Sequence, residues 1–191
     1  MDKVIVWWVY WSWKTTIIQN LCEQNKNIWN FSYWENLRRI GKEKGFIKED
    51  SQYQTLAEHI RQEIISLCEN TLQKLIKEDL FNILLFDNHY SIIQENKLIK
   101  TFAKEKIERY KKMVLIESDA NEVKRRIDMS NKSRANKWLD LPLIQEQISF
   151  EREVALELSN EFNKPLLIIN NSSIDGIEKN LLAINSFLFD E

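Results

Sequence analysis

Short apolar runs rich in β-branched residues, at 3–7, 28–31, 83–86, 113–116 and 166–169, alternate with longer stretches whose apolar residues recur at helical spacing. Apart from Lys3 and Asn30 the runs are apolar, as in strands buried on both faces of a parallel sheet. Helices are predicted over 14–23, 35–44, 53–77, 94–110, 120–129, 141–163 and 174–187. Strands alternating with helices imply a doubly wound α/β fold around a five-stranded parallel sheet, with its ligand crevice beyond the strand C-termini. The two prolines agree with this outline, because Pro142 falls near a helix start and Pro165 where a strand begins.

A chain of 191 residues suits one domain and can bury a substantial core. Its net charge of −2, with acids and bases interspersed, gives no basic surface for nucleic acid or for a membrane. No apolar run is long enough to span a bilayer, and Met1-Asp2-Lys3-Val4 leads directly into a strand, so a cytoplasmic protein is expected. Cys22 and Cys68 are too few and too far apart for a disulfide framework or a metal site, and both fall in helical patterns as buried thiols. With only His59 and His89, a histidine-rich metal centre is not expected either.

The first strand runs into a nucleotide-binding pattern. The Walker phosphate loop reads G-x-x-x-x-G-K-[ST]; here Trp8, four residues, Trp13, Lys14 and Thr15 occupy those places, and Lys14-Thr15-Thr16 opens a helix. A helix N-terminus carries unpaired N–H groups and positive dipole density, which suits a phosphate. Glycine is demanded at the Walker positions because successive N–H groups must turn inward around the anion with no Cβ in the way. Indoles would fill that cradle.

Composition mirrors the anomaly. There are seven Trp but only three Gly, whereas glycine alone averages about 7% of residues. Replacing Trp7, Trp8, Trp11 and Trp13 by Gly yields an ordinary phosphate loop, and Trp34 also falls where a turn would welcome glycine. A reassigned stop codon, read as Trp in some genetic codes and Gly in others, accounts for this pattern, and the Lys, Asn and Ile richness fits an AT-rich gene. Deliberate ablation accounts for the loop but not for Trp29 or Trp138, and decay would scatter many residue types. Taken literally, four tryptophans in a loop needing positive φ would cost about 1–3 kcal/mol each.

Further candidates follow along the chain. The third apolar run closes on Asp87, a Walker B-like arrangement in which a carboxylate holds Mg²⁺ beside the hydroxyl of Thr15. The competing reading is a turn or capping aspartate. Later, Arg125-Arg126 precede the polar segment 130–137, which contains Arg134. Phosphoryl transfer runs on positioning and charge neutralisation, so Arg126 and Arg134 on a lid at about 130–140 are candidates to clamp the transferred group alongside Lys14.

These landmarks together resemble the archaeal-type adenylate kinases and related small nucleoside monophosphate kinases. The matching residues are the loop through Lys14-Thr15-Thr16, Asn30-Phe31 with Trp34, Lys42-Glu43-Lys44-Gly45-Phe46, Asp87-Asn88-His89, Arg125-Arg126 with Asp128, and Ile144-Gln145-Glu146-Gln147 with Arg152. The resemblance implies MgATP as donor, held by Trp8, Trp11, Ser12, Trp13, Lys14, Thr15 and Thr16, with Mg²⁺ at Thr15 and Asp87. It also implies an acceptor region within 30–61, with Trp34, Arg38, Arg61 and His89 as acceptor contacts and AMP as the default acceptor. The chain departs from the family in its loop glycines and at Asn136-Lys137, where the family lid carries a second arginine before an aspartate. Two alternatives stay open: a pseudokinase or scaffold with a plugged site, and a phosphate-loop kinase of another small metabolite.

Overall fold

The computed structural model describes residues 1–8, 14–87, 91–94, 97–100, 104–129 and 139–190. Seven strands are present among them: β1 (Asp2–Trp8), β2 (Ile28–Ser32), β3 (Ile83–Asp87), β4 (Ser91–Gln94), β5 (Lys97–Lys100), β6 (Lys112–Glu117) and β7 (Leu166–Asn170). The helices are α1 (Lys14–Gln24), α2 (Tyr33–Glu43), α3 (Glu58–Glu78), α4 (Ala120–Met129), α5 (Leu141–Glu161) and α6 (Ile177–Phe189). Five strands form one parallel sheet in the order β2-β3-β1-β6-β7, and each contains one of the five apolar runs in the sequence.

Strand β1 is central, with β3 on one side and β6 on the other. Its side chains alternate between two cores, as the two-residue period of a strand requires. Ile5 and Trp7 face a cluster containing Phe31, Phe86 and Leu115, covered by Leu37 and Ile40 of α2, Ile64 and Cys68 of α3, and Ala155 and Leu158 of α5. Val4 and Val6 face the opposite layer, where Ile17, Ile18 and Leu21 of α1 meet Leu181, Ile184 and Leu188 of α6. Helices therefore cover both faces of the sheet.

Two glycines have steric reasons to be where they are. Gly45 adopts φ 76°, the left-handed region, just past the end of α2, and turns the chain with its N–H donating to the Lys42 carbonyl. At Gly41 a Cβ would stand 3.1 Å from the Ile47 side chain, so its absence lets Ile47 close onto α2.

Several expectations need correction. Residues 94–110, expected as a helix, instead contain the end of an antiparallel hairpin, β4 with β5, and a 3₁₀ turn over Lys104–Arg109. Ser-Ile-Ile-Gln and Lys-Leu-Ile-Lys are two short polar-bounded apolar pairs, compatible with either structure, and pairing with each other decides for strand. The helix expected over 53–77 begins only at Glu58, after a 3₁₀ turn over Asp50–Thr55.

The tryptophans are also redistributed. Trp7 and Trp8 lie in β1 with extended pairing to Leu115 and Ile116, so neither needs the positive φ expected of a loop residue. Trp7 is completely buried. Trp34 belongs to the first turn of α2 rather than to a glycine turn, and Trp29 lies in β2, stacked 4.8 Å from Phe81. Trp11, Trp13 and Trp138 fall outside the described residues.

Candidate phosphate-binding site

Register builds the site at the C-terminal rim of the sheet. Val6 of β1 pairs with Asp87 of β3, which in turn pairs with Ser32 of β2, so the last residues of β2 and β3 stand side by side next to the exit of β1. Lys14 is the first residue of α1, the helix that follows β1. Its Nζ forms an ion pair with Asp87 Oδ2, with the two side chains only 11% and 8% exposed. The lysine of the Walker-like pattern and the aspartate of the Walker B-like strand thus meet directly.

Burial dominates the electrostatics of this pair. Desolvation pulls the Lys14 ammonium below the ordinary lysine range, and the Asp87 charge opposes that pull. Likewise desolvation pushes the Asp87 carboxyl upward, opposed by Lys14 and by a hydrogen bond with Ser32. Glu35 and Arg38 of α2 add opposing long-range influences on Lys14. The rim therefore gathers Lys14, Asp87, Ser32, Glu35 and Arg38 from four separate elements.

Thr15 and Thr16 lie exposed in the first turn of α1. Trp11, Ser12 and Trp13 lie outside the described residues, as do His89 and Arg134; only the main chain of Trp8 is described. In the expected acceptor region Trp34 is half-buried and meets Tyr53 edge-on at 5.8 Å. Arg38 pairs with Asp50 at 3.6 Å and Arg61 with Glu58 at 2.6 Å.

Arg126 sits in a different setting from Lys14. Its guanidinium, 3% exposed, donates to Glu122 at 2.7 Å, to Ser118 Oγ at 3.3 Å and to the Asn171 carbonyl at 2.8 Å. It thereby ties the base of α4 to the segments leaving β6 and β7. The polar set continues through Ser172, whose Oγ accepts the Asp119 N–H at 2.7 Å.

The sequence reading missed Glu117. It ends β6 on the other side of β1, is 6% exposed, and accepts from Arg152 Nη1 at 2.7 Å. Its Oε2 has no hydrogen-bond partner among the described residues, and burial raises its pKa against the pull of Arg152. A signal was present: the apolar run 113–116 closes on an acid just as 83–86 closes on Asp87. Ser32 and Glu35 carried no such signal, because strand register brings Ser32 to Asp87 and the placement of α2 brings Glu35 near Lys14.

No protein-family model and no curated protein matches the chain by sequence. Among solved structures, it is similar to a shikimate kinase from Bacteroides thetaiotaomicron, at 13% identity and a TM-score of 0.54, with 98% of each chain covered. At that identity the likeness shows the fold alone, a five-stranded parallel sheet with helices on both faces.

Proposed function

We propose that this chain is an ATP-dependent kinase of a small molecule, with a nucleoside monophosphate, AMP by preference, as acceptor. The observation that carries the reading is the buried Lys14–Asp87 pair beside the exit of β1, at the N-terminus of α1. A lysine and a helix N-terminus at that edge suit the anionic tail of a nucleotide. Lys14 would bind and orient the donor phosphates, with Thr15 and Thr16 in the turn beside it.

The residues also fit a hard divalent cation. Magnesium is usually bound through one or two carboxylates together with substrate phosphates rather than in an all-protein cage. Asp87 with the Thr15 hydroxyl would supply such donors, and among the described residues no cluster of three or more His, Cys, Asp or Glu offers a fuller set. Bound Mg²⁺ would neutralise charge on the donor's phosphate oxygens. Arg126 and Arg134 remain the proposed cations for the transferred group, with Arg126 having to exchange part of its present hydrogen bonding for that task.

Acceptor binding is proposed within 30–61, where Trp34 with Tyr53 supplies an aromatic surface and Arg38 and Arg61 supply charge. His89, which follows the Asp87 strand in sequence, is assigned to the same acceptor. A small metabolite is the second acceptor reading, and the fold shared with a shikimate kinase favours it equally. No described helix is long and apolar enough to cross a membrane, and a cytoplasmic setting is part of the proposal.

The test is a coupled phosphotransfer assay on a chain carrying Trp8→Gly, Trp11→Gly and Trp13→Gly, with Trp7 retained because it belongs to the core. ATP-dependent product with a monophosphate supports the first reading, and product with another acceptor supports the second. No product with any acceptor, together with no thermal shift from ATP, would sink both, since a nucleotide present at a hundred times its Kd stabilises by about 2.7 kcal/mol. Sequencing the gene decides the tryptophan question separately: TGG codons at these positions refute the reassigned-codon reading.

A further inference from the structure

Beyond the rim, the hairpin is rooted in an unusual polar cluster. Ser91, Gln147 and Glu151 are each 1% exposed or less. Glu151 Oε1 accepts from the Ser91 N–H at 2.8 Å and from Ser91 Oγ at 2.5 Å, and Gln147 Nε2 lies 3.4 Å from the same hydroxyl. The next residue of α5, Arg152, donates to Glu117 at the end of β6. Ser91 is four residues past Asp87 at the end of β3. Two consecutive residues of one helix therefore hold the chain leaving β3 and the end of β6, the two strands that flank β1.

We propose that Glu151 and Arg152 form a strut that fixes the exits of β3 and β6 on either side of the phosphate strand, making Glu151 a positioning residue for Asp87. The inference rests on the kinase reading only for its catalytic consequence. A buried carboxylate is a poor means of gaining stability, since replacing buried polar partners together by apolar groups of similar size is often neutral or stabilising. What such a group supplies is direction: Glu151 Oε1 receives both the main-chain N–H and the hydroxyl of Ser91, so the main chain at Ser91 is held at a set place relative to α5. Sheet register thus holds Asp87, and α5 holds Ser91. Arg152 holds the opposite flank through a surface-accessible guanidinium, 53% exposed, on a buried carboxylate.

Three variants test this: Glu151→Gln, which keeps the accepting oxygen; Ser91→Ala; and the paired Ser91→Ala/Glu151→Leu, which replaces the polar contact by an apolar one. The direct readout is the rate at which Lys14 is acylated by a water-soluble reagent, measured by mass spectrometry, because that amine is shielded while it is paired with Asp87. The paired variant is expected to label Lys14 at least fivefold faster at unchanged melting temperature, with Ser91→Ala intermediate and Glu151→Gln near the parent. In the triple-glycine loop background the paired variant should lose at least tenfold in kcat and need more Mg²⁺ for half-maximal rate, with acceptor KM little changed. Unchanged Lys14 labelling in both Ser91→Ala and the paired variant overturns the strut, whatever the activity. Faster labelling, when the triple-glycine parent itself transfers no phosphoryl group and shows no thermal shift with ATP, upholds the strut and refutes the kinase reading instead. Should the paired variant fail to fold, Ser91→Ala and Glu151→Gln still decide, because equal labelling in those two overturns the proposal.

Discussion

Lys14 and Asp87 are 73 residues apart in sequence and meet as a buried ion pair beside the exit of the central strand. Removing one partner leaves the other charged and poorly solvated, which typically costs about 3–5 kcal/mol when the pair is buried. Asp87→Asn and Lys14→Met are each expected to lower stability by roughly 3 kcal/mol in urea denaturation. The double variant Lys14→Met/Asp87→Leu should recover most of that loss while abolishing nucleotide binding. A double variant no more stable than the singles would show that the pair is not the reason for their instability.

Trp7 separates the core from the loop. Deleting a large buried aromatic side chain costs about 3–5 kcal/mol, and glycine inside a strand adds up to about 1 kcal/mol. Trp7→Gly is therefore expected to destabilise by at least 3 kcal/mol and to remove the most blue-shifted tryptophan emission, because the indole is completely buried. Trp13→Gly should do neither and should improve ATP binding. Equal melting temperatures for the two variants would refute the placement of Trp7 in the core.

Glu117 makes a pH prediction. Burial raises its pKa above 4.5 despite Arg152. A group whose pKa is raised by folding contributes its stability fully below the unfolded value, and that contribution is lost as pH rises through the folded value. The stability of the parent relative to Glu117→Gln should therefore be greater near pH 4.5 than near pH 7, as read from urea midpoints at the two pH values. A difference that is flat or reversed in sign would show that Arg152 outweighs the burial.

The thiols should report unfolding. Cys68 is completely buried and its pKa is pushed up to about 12, chiefly by burial. Native protein at pH 8 should alkylate at the half-buried Cys22 before Cys68, and Cys68 labelling should track the unfolding transition. Rapid labelling of Cys68 in the folded protein would show that α3 opens locally against the core.

The helical and strand periods of the sequence sufficed for the five parallel strands and for helices on both sheet faces, because burying an apolar stripe is a local demand on each segment. They also placed Lys14 at a helix start and Asp87 at a strand end, since strand boundaries are visible where an apolar run stops. The same periods misjudged residues 94–110, where two short apolar pairs satisfy either geometry and only cross-strand pairing chooses. The apolar run 3–7 includes Trp7 in the first strand while the Walker reading counts it among the loop's glycine positions, because that pattern reads spacing and not depth; that the indole meets Phe31 and Leu115 is settled by packing. The joining of Lys14 to Asp87, of Arg152 to Glu117 and of Glu151 to Ser91 was likewise left to the tertiary structure. Each is a contact across many residues, and its partner is selected by strand order and register, which no single segment of the chain encodes.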